Sequence, residues 1–192
     1  MKLLYISVFS LFTIAASAQS KIGFSSRNYV GLLEGEHGSA FQLQSINGVK
    51  CQTWFAGLGT GIDWYYRRSI PLFASVNKDF LRKANRAFYV TADAGANFPW
   101  NNNNYNTWGY TIDKSYPGLY WSAGLGYKIG VGKKNDALLI HLGYSSKHVR
   151  EKVKTIYYYY TYSILPPSEQ QDFTNRFDYY LRSVSIKVGW NF

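Results

Sequence analysis

The chain has 192 residues, of which 46% are hydrophobic and 19% aromatic, and it carries a formal net charge of +10. That length is one domain's worth; the single cysteine, Cys51, excludes an intrachain disulfide and a cysteine-built zinc site. Past residue 20 no stretch approaches the roughly 18 unbroken apolar residues of a membrane helix, yet the aromatic load is high and alternating, as in a membrane barrel.

Residues 1–18 read as a secretory signal peptide. Lys2 supplies the positive start, Leu3 to Ala16 the apolar core, and Ala16-Ser17-Ala18 a small-residue cleavage site before Gln19. The core is too short for an anchoring helix, and no basic stop-transfer cluster follows it. Residues 19–192 are expected to form one barrel domain, and removal of Lys2 takes the net charge from +10 to +9. On an exported chain that balance points to anionic lipid headgroups or lipopolysaccharide phosphates rather than to nucleic acid.

A period of two runs through the remainder, the spacing of strands with two unlike faces. A first strand is expected over about Asn28–Glu36, with Glu34 and Glu36 on one parity, and a second over about Ala40–Val49. From Trp54 to Tyr66, Trp54, Leu58, Ile62 and Trp64 share one face, while Phe55, three glycines and Asp63 share the other. Strand four, about Ser69–Leu81, sets Ile70, Leu72 and Val76 against Phe73, Ser75, Asn77 and Asp79; Pro71 lies near its start, where a missing N–H is tolerated. Strand five opposes Phe88, Val90 and Phe98 to Tyr89, Thr91, Asp93 and Asn97. A long polar loop is expected from Pro99 to Pro117, with Asn101–Asn104 inside it. Strand six, Leu119–Val131, alternates best, with Lys128 on its glycine-rich face, and strand seven runs from Leu138 to Ser145 with His141 on its polar face. A second long connection, about Val149–Phe177, contains Tyr157–Tyr160.

The last strand puts Val184, Ile186, Val188, Trp190 and Phe192 on one face and Ser183, Ser185, Lys187, Gly189 and Asn191 on the other. Eight strands, short connections at one end and two long loops at the other make an all-β, eight-stranded antiparallel up-and-down transmembrane barrel. A secreted lipocalin-like barrel has the same strand count, but its bulky apolar face points inward and its other face is solvated. Here the second face is glycine and serine with single charges, which suits a narrow lumen, and the aliphatic face suits lipid.

The Ala18-Gln19 cleavage site, the glycine and aromatic strands and the terminal Trp190-Asn191-Phe192 resemble the small eight-stranded outer-membrane barrels of the OmpA/OmpX type, in particular the porin-family-like proteins of Bacteroidota. The resemblance spans the chain after the signal. It implies the outer membrane of a Gram-negative bacterium as the location. It also implies recognition of Trp190 and Phe192 by the barrel-insertion machinery, and it implies no single activity.

The candidate residues fall into three sets. Glu34, Glu36, Asp63, Asp93, Lys128, His141 and Lys187, with Gln42, Gln44 and Asn97, are expected to form a polar network in the lumen, either a paired plug or an ion path. Arg67, Arg68, Lys147, Arg150, Lys152 and Lys154 form a basic cluster at the outer rim that could grip lipopolysaccharide phosphates. Ser146 and His148, with Glu151 nearby, offer a hydroxyl, a base and an acid, in the reverse order of the lipid A deacylase pattern. The reading is non-enzymatic, with no metal or cofactor: a barrel with a role in envelope structure or in surface interaction through its long outer loops, with an extracellular ligand of those loops as a candidate partner. A small-solute channel or a lipid A-modifying enzyme is the alternative.

Overall fold

A computed structural model describes residues 22–100, 110–131, 136–156 and 172–192. The expected signal peptide, Asn101–Asn104 and Tyr157–Tyr160 lie outside the described residues. Among those described there are nine strands and no helix: β1 (Ile22–Gly35), β2 (Gly38–Cys51), β3 (Trp54–Asp63), β4 (Ser69–Lys83), β5 (Arg86–Pro99), β6 (Tyr110–Tyr116), β7 (Gly118–Gly130), β8 (Ala137–Ile156) and β9 (Asp172–Asn191).

Every pairing is antiparallel. The order runs β1-β2-β3-β4-β5-β7-β8-β9, and β9 pairs back onto β1, so eight strands close into an up-and-down barrel. The register fixes its shape. Stepping across the ladders from Ser25 leads through Gly48, Gly57, Ser75, Asp93, Ser122, Ser145 and Ser183, and returns to β1 at Gly35. The ring therefore closes ten residues further along, which sets a strand tilt of about 40° and a barrel too narrow for more than side chains. All nine positions on that path are Ser, Gly or Asp, and small residues let the wall draw in.

The ninth strand modifies the expected loops. β6 pairs with β8 above β7, and Pro117, which has no N–H to give a ladder, separates the two on the same flank of β8. Residues 110–116 of the expected Pro99–Pro117 loop are thus strand. Likewise β8 and β9 stay paired from Ala137↔Asn191 up to Ile156↔Asp172, so much of the expected Val149–Phe177 connection is a rising hairpin. At the other end β1 begins six residues before its expected start, at Ile22, and this brings Arg27 into the wall.

Burial follows parity. On β4, Phe73, Ser75, Asn77 and Asp79 are buried while Leu72, Val76 and Phe80 are exposed. Across the barrel most of the bulky aliphatics point outward, with Leu58 69% and Leu119 61% exposed, while Leu33, Ile46, Leu139, Val149 and Leu181 are buried inside. Aromatics gather toward both ends of this wall: Trp54, Phe88, Tyr127 and Trp190 toward the short turns, and Trp64, Trp121 and Tyr144, with Tyr180 higher on β9, toward the other. Ten residues of β9 separate Trp190 from Tyr180, about 25 Å along the axis at that tilt.

Inward aromatics need room, and glycine supplies it. A Cβ on Gly126 would stand 2.1 Å from the Tyr89 ring, and one on Gly59 would stand 2.5 Å from Phe73. Gly126→Val should therefore lower the unfolding free energy by about 1–3 kcal/mol through overpacking. Tyr89→Leu in the same chain should recover most of that loss in denaturant midpoints. An equal loss with and without Tyr89 would contradict the packing account.

Candidate functional site: a charge-balanced interior and a cationic outer sheet

Among the described residues, the buried cations are Arg27, Lys128, Lys147 and Lys187, and the buried carboxylates are Asp63, Asp79, Asp93 and Glu151, four of each sign. Charge inside a narrow, water-poor barrel is costly unless partnered; the partners lie in three tiers, while Arg27 Nε and Nη1 and Lys128 Nζ make no hydrogen bond among the described residues.

The outer tier is a latch under a hydrophobic cap. Lys147 Nζ donates to Asp63 Oδ1 at 2.9 Å, to the Arg67 carbonyl at 2.9 Å and to Ser69 Oγ at 3.1 Å. Asp63 also accepts the Tyr65 N–H at 2.7 Å, which turns the β3–β4 connection inward. Tyr65 then packs with Leu33, Val149 and Leu181 across the barrel, and its hydroxyl accepts the His37 N–H at 3.1 Å. Beside the cap, Arg67 Nε lies 3.1 Å from Glu151, which is fully enclosed.

The middle tier surrounds Lys187, which donates to Gln44 Oε1 at 2.7 Å; Gln44 donates in turn to the Tyr120 hydroxyl at 2.9 Å. Asp93 lines the same small gap as Lys187 and accepts from Thr91 Oγ1 at 3.3 Å. His141 lies between the Tyr29 and Tyr89 rings, 6.3 and 6.2 Å away, where Gly124 and Gly143 leave its ring space. The gap enclosed by Gln44, Thr91, Asp93, His141 and Lys187 is about 10 Å³, roughly one water.

In the inner tier the Arg27 guanidinium lies 4.1 Å over the Phe55 ring and 5.5 Å from that of Tyr89. Below it Lys50 is 3.8 Å from Asp79, and both, with Lys128, line a cavity of about 130 Å³ at the mouth.

The interior set expected from sequence is thus partly assembled. Asp63, Asp93, Lys128, His141 and Lys187 all face inward and are buried, as are Gln42, Gln44 and Asn97. Glu34 and Glu36 do not join them. Tyr29, Gly31 and Leu33 hold the inward parity of β1, so Glu34 faces out, where it accepts from the Ser39 hydroxyl, and Glu36 is exposed in the β1–β2 turn. Arg27 escaped notice because the first strand was expected to begin after it, although it shares the parity of Tyr29.

The outer basic cluster is also regrouped. Lys147 belongs to the interior, on the parity of His141 and Ser145, and Arg67 is committed to Glu151. Arg68 is exposed and lies 5.0 Å over the Trp100 ring. Arg150 and Lys152 point outward on β8, while the Lys154 side chain lies outside what is described. Two further outward cations, Lys114 on β6 and Arg176 on β9, stand directly opposite Lys152 on either side. The signal for them was hidden because both segments were expected to be loop.

Ser146 and His148 do share the outward face, but Glu151 is on the opposite one. The carboxylate that reaches His148 is Asp178, at 3.1 Å, and the imidazole lies flat on Tyr180, 4.4 Å between centroids. The Ser146–His148–Glu151 arrangement is not formed. Trp190 faces outward in the aromatic ring at the short-turn end, and Phe192 exchanges two backbone hydrogen bonds with Ser26, at 2.8 and 3.0 Å. Among the described residues no three His, Cys, Asp or Glu side chains come together as metal ligands. No family model, curated protein or solved structure matches the chain.

The latch yields a direct test. Lys147→Met leaves Asp63 buried without its cation and should cost about 3–5 kcal/mol of unfolding free energy. The double variant Lys147→Met/Asp63→Leu removes both charges and should cost markedly less. Equal costs in a denaturant titration would show that the pair is not coupled.

Proposed function

We propose that the chain is a non-enzymatic integral outer-membrane barrel, serving envelope structure or surface interaction through the strands and loops that rise above its outer rim. One observation carries the reading: the polarity of a soluble barrel is inverted. Trp190 and Tyr180 bracket about 25 Å of a largely aliphatic outer wall, close to the height of a bilayer's apolar band, with the exposed Arg182 just inside its upper edge, while all eight buried charges face inward. A wall of this kind in water would leave Leu58, Leu119, Leu125 and Ile186 hydrated, at about 25 cal/mol per Å² of apolar area. In a bilayer it is satisfied, and the pairing of β9 back onto β1 leaves no open sheet edge around the barrel wall.

In this reading the interior is a polar plug rather than a path. The Lys147–Asp63 latch, the Tyr65 cap and the Gln44–Lys187–Asp93 cluster lie one above another and fill the lumen, with a gap of only about 10 Å³ at the middle level. The partners are then on the outside: lipid and lipopolysaccharide around the wall, the insertion machinery during assembly, and a ligand of the outer loops. Among the described residues no hydrogen bond joins Ser146 to His148, whose imidazole meets Asp178 and Tyr180 instead, which argues against the lipid A-modifying alternative.

The channel alternative separates cleanly in a planar bilayer. Refolded protein should insert and give no reproducible conductance steps, whereas Tyr65→Ala with Lys147→Ser, which removes cap and latch, should conduct measurably. Stable steps from the unaltered protein would make solute passage the function.

A further inference from the structure

Above the outer aromatic ring, β6, β8 and β9 continue as a three-stranded sheet. Its outward face carries the Tyr116, Arg150 and Asp178 row, and above that the row Lys114, Lys152 and Arg176. Directly opposed residues on neighbouring strands have Cβ atoms about 5 Å apart, and like charges so placed destabilise a sheet. Three cations in one register row are an arrangement that strand pairing alone disfavours.

Nor are they neutralised locally. Among the described residues no carboxylate lies within ion-pair distance of Lys114, Lys152 or Arg176. The two nearby acids are engaged elsewhere, Glu151 with Arg67 at 3.1 Å and Asp178 with His148 at 3.1 Å and Arg150 at 3.9 Å. A cavity of about 330 Å³ opens against Tyr116, Arg150, Lys152 and Arg176, with Glu151 and Asp178 also on its wall. Lys152 lies 5.7 Å from the Tyr116 ring centroid, so an aromatic backs the cation.

Position selects the anion. The row begins four residues above the His148–Tyr180 stack, about 10 Å along the axis at the barrel's tilt. This is the level at which a bilayer's apolar band gives way to its phosphates. We infer that Lys114, Lys152 and Arg176, assisted by Arg150, bind the phosphate groups of outer-leaflet lipopolysaccharide. Arg176 offers a planar fork and the two lysines point charges, the complement of a phosphate pair. The cross-strand repulsion is relieved when the anion is bound. The site rests on the membrane-barrel reading and adds to it the residues and the chemistry of one lipid contact.

The test uses the refolded protein in neutral phosphatidylcholine vesicles, with retained lipid A measured by native mass spectrometry. Bisphosphorylated lipid A should be retained, and its dephosphorylated form should be lost. Lys114→Gln/Lys152→Gln/Arg176→Gln should lower affinity roughly a hundredfold, at about 1 kcal/mol for each cation. Arg82→Gln/Lys83→Gln/Arg86→Gln removes the same charge at the opposite rim and should leave retention unchanged. Equal losses in the two triple variants would reduce the effect to net charge and overturn the site. Displacement of the lipid by millimolar inorganic phosphate would reassign the row to soluble phosphate. A barrel that inserts but retains both forms of lipid A alike would refute the site alone, and a chain that fails to enter vesicles would refute the membrane reading with it.

Discussion

Narrowness is the constraint from which the rest follows. A closed ladder of eight strands staggered by ten residues encloses only enough space for the side chains it points inward. The wall beside each large ring must then be glycine: Gly126 beside Tyr89, Gly59 beside Phe73. The same narrowness means that an inward charge meets another side chain before it meets bulk water. Lys147 is held by a carboxylate, a carbonyl and a hydroxyl, and Lys187 by an amide oxygen with Asp93 lining the same gap. The interior behaves as a packed core in which aromatic and aliphatic clusters alternate with partnered charges, and removing one partner of a buried pair costs more than removing both.

The inward polarity has an outward consequence. Because the lumen takes most of the charges, the wall is largely aliphatic, and the outward cations Lys78 and Arg182 lie toward its two ends. Lys78 lies 4.8 Å from the Trp54 ring at one aromatic level, where a long cation can reach polar surroundings while its stem stays on apolar surface. At the other end the barrel does not stop evenly. The β1–β2 turn closes at Glu36 and His37, whereas β8 and β9 continue to Ile156 and Asp172 with β6 alongside. That asymmetry places a one-sided sheet above the rim, and its exposed face is where cations gather without carboxylates.

Much of this was legible in the sequence because period two is a strong signal where both faces are distinctive. β3, β7 and β9 show an aliphatic face against glycine, serine and one charge, and Asp63, Lys128 and Lys187 fall inside as parity requires. β1 was harder to read. Its inward face holds Arg27, Tyr29 and Leu33 and its outward face Val30, Leu32 and Glu34, so polarity does not separate them and the glutamates were placed on the wrong side. The upper strands were hidden for a different reason. In the upper parts of β6, β8 and β9 the sequence mixes charged, polar and apolar residues on both parities, so Lys114, Lys152 and Arg176 stand in stretches with no hydrophobic alternation to reveal the pairing. Lys147 was legible by its step from His141 and Ser145, but its charge suggested the rim more strongly than its parity suggested the lumen.

The central claim is that the barrel's aliphatic face meets lipid and its polar face meets itself. The most direct measurement is collisional accessibility of nitroxide labels placed one at a time from Leu119 to Val131 along β7, with Cys51 replaced by serine and the protein refolded into vesicles. Labels at Leu119, Trp121, Ala123, Leu125 and Tyr127 should be reached by oxygen and shielded from a water-soluble nickel reagent. Those at Tyr120, Ser122, Gly124 and Gly126 should be reached by neither, giving a period of two. Nickel access at the first set would place that face in water and contradict the account.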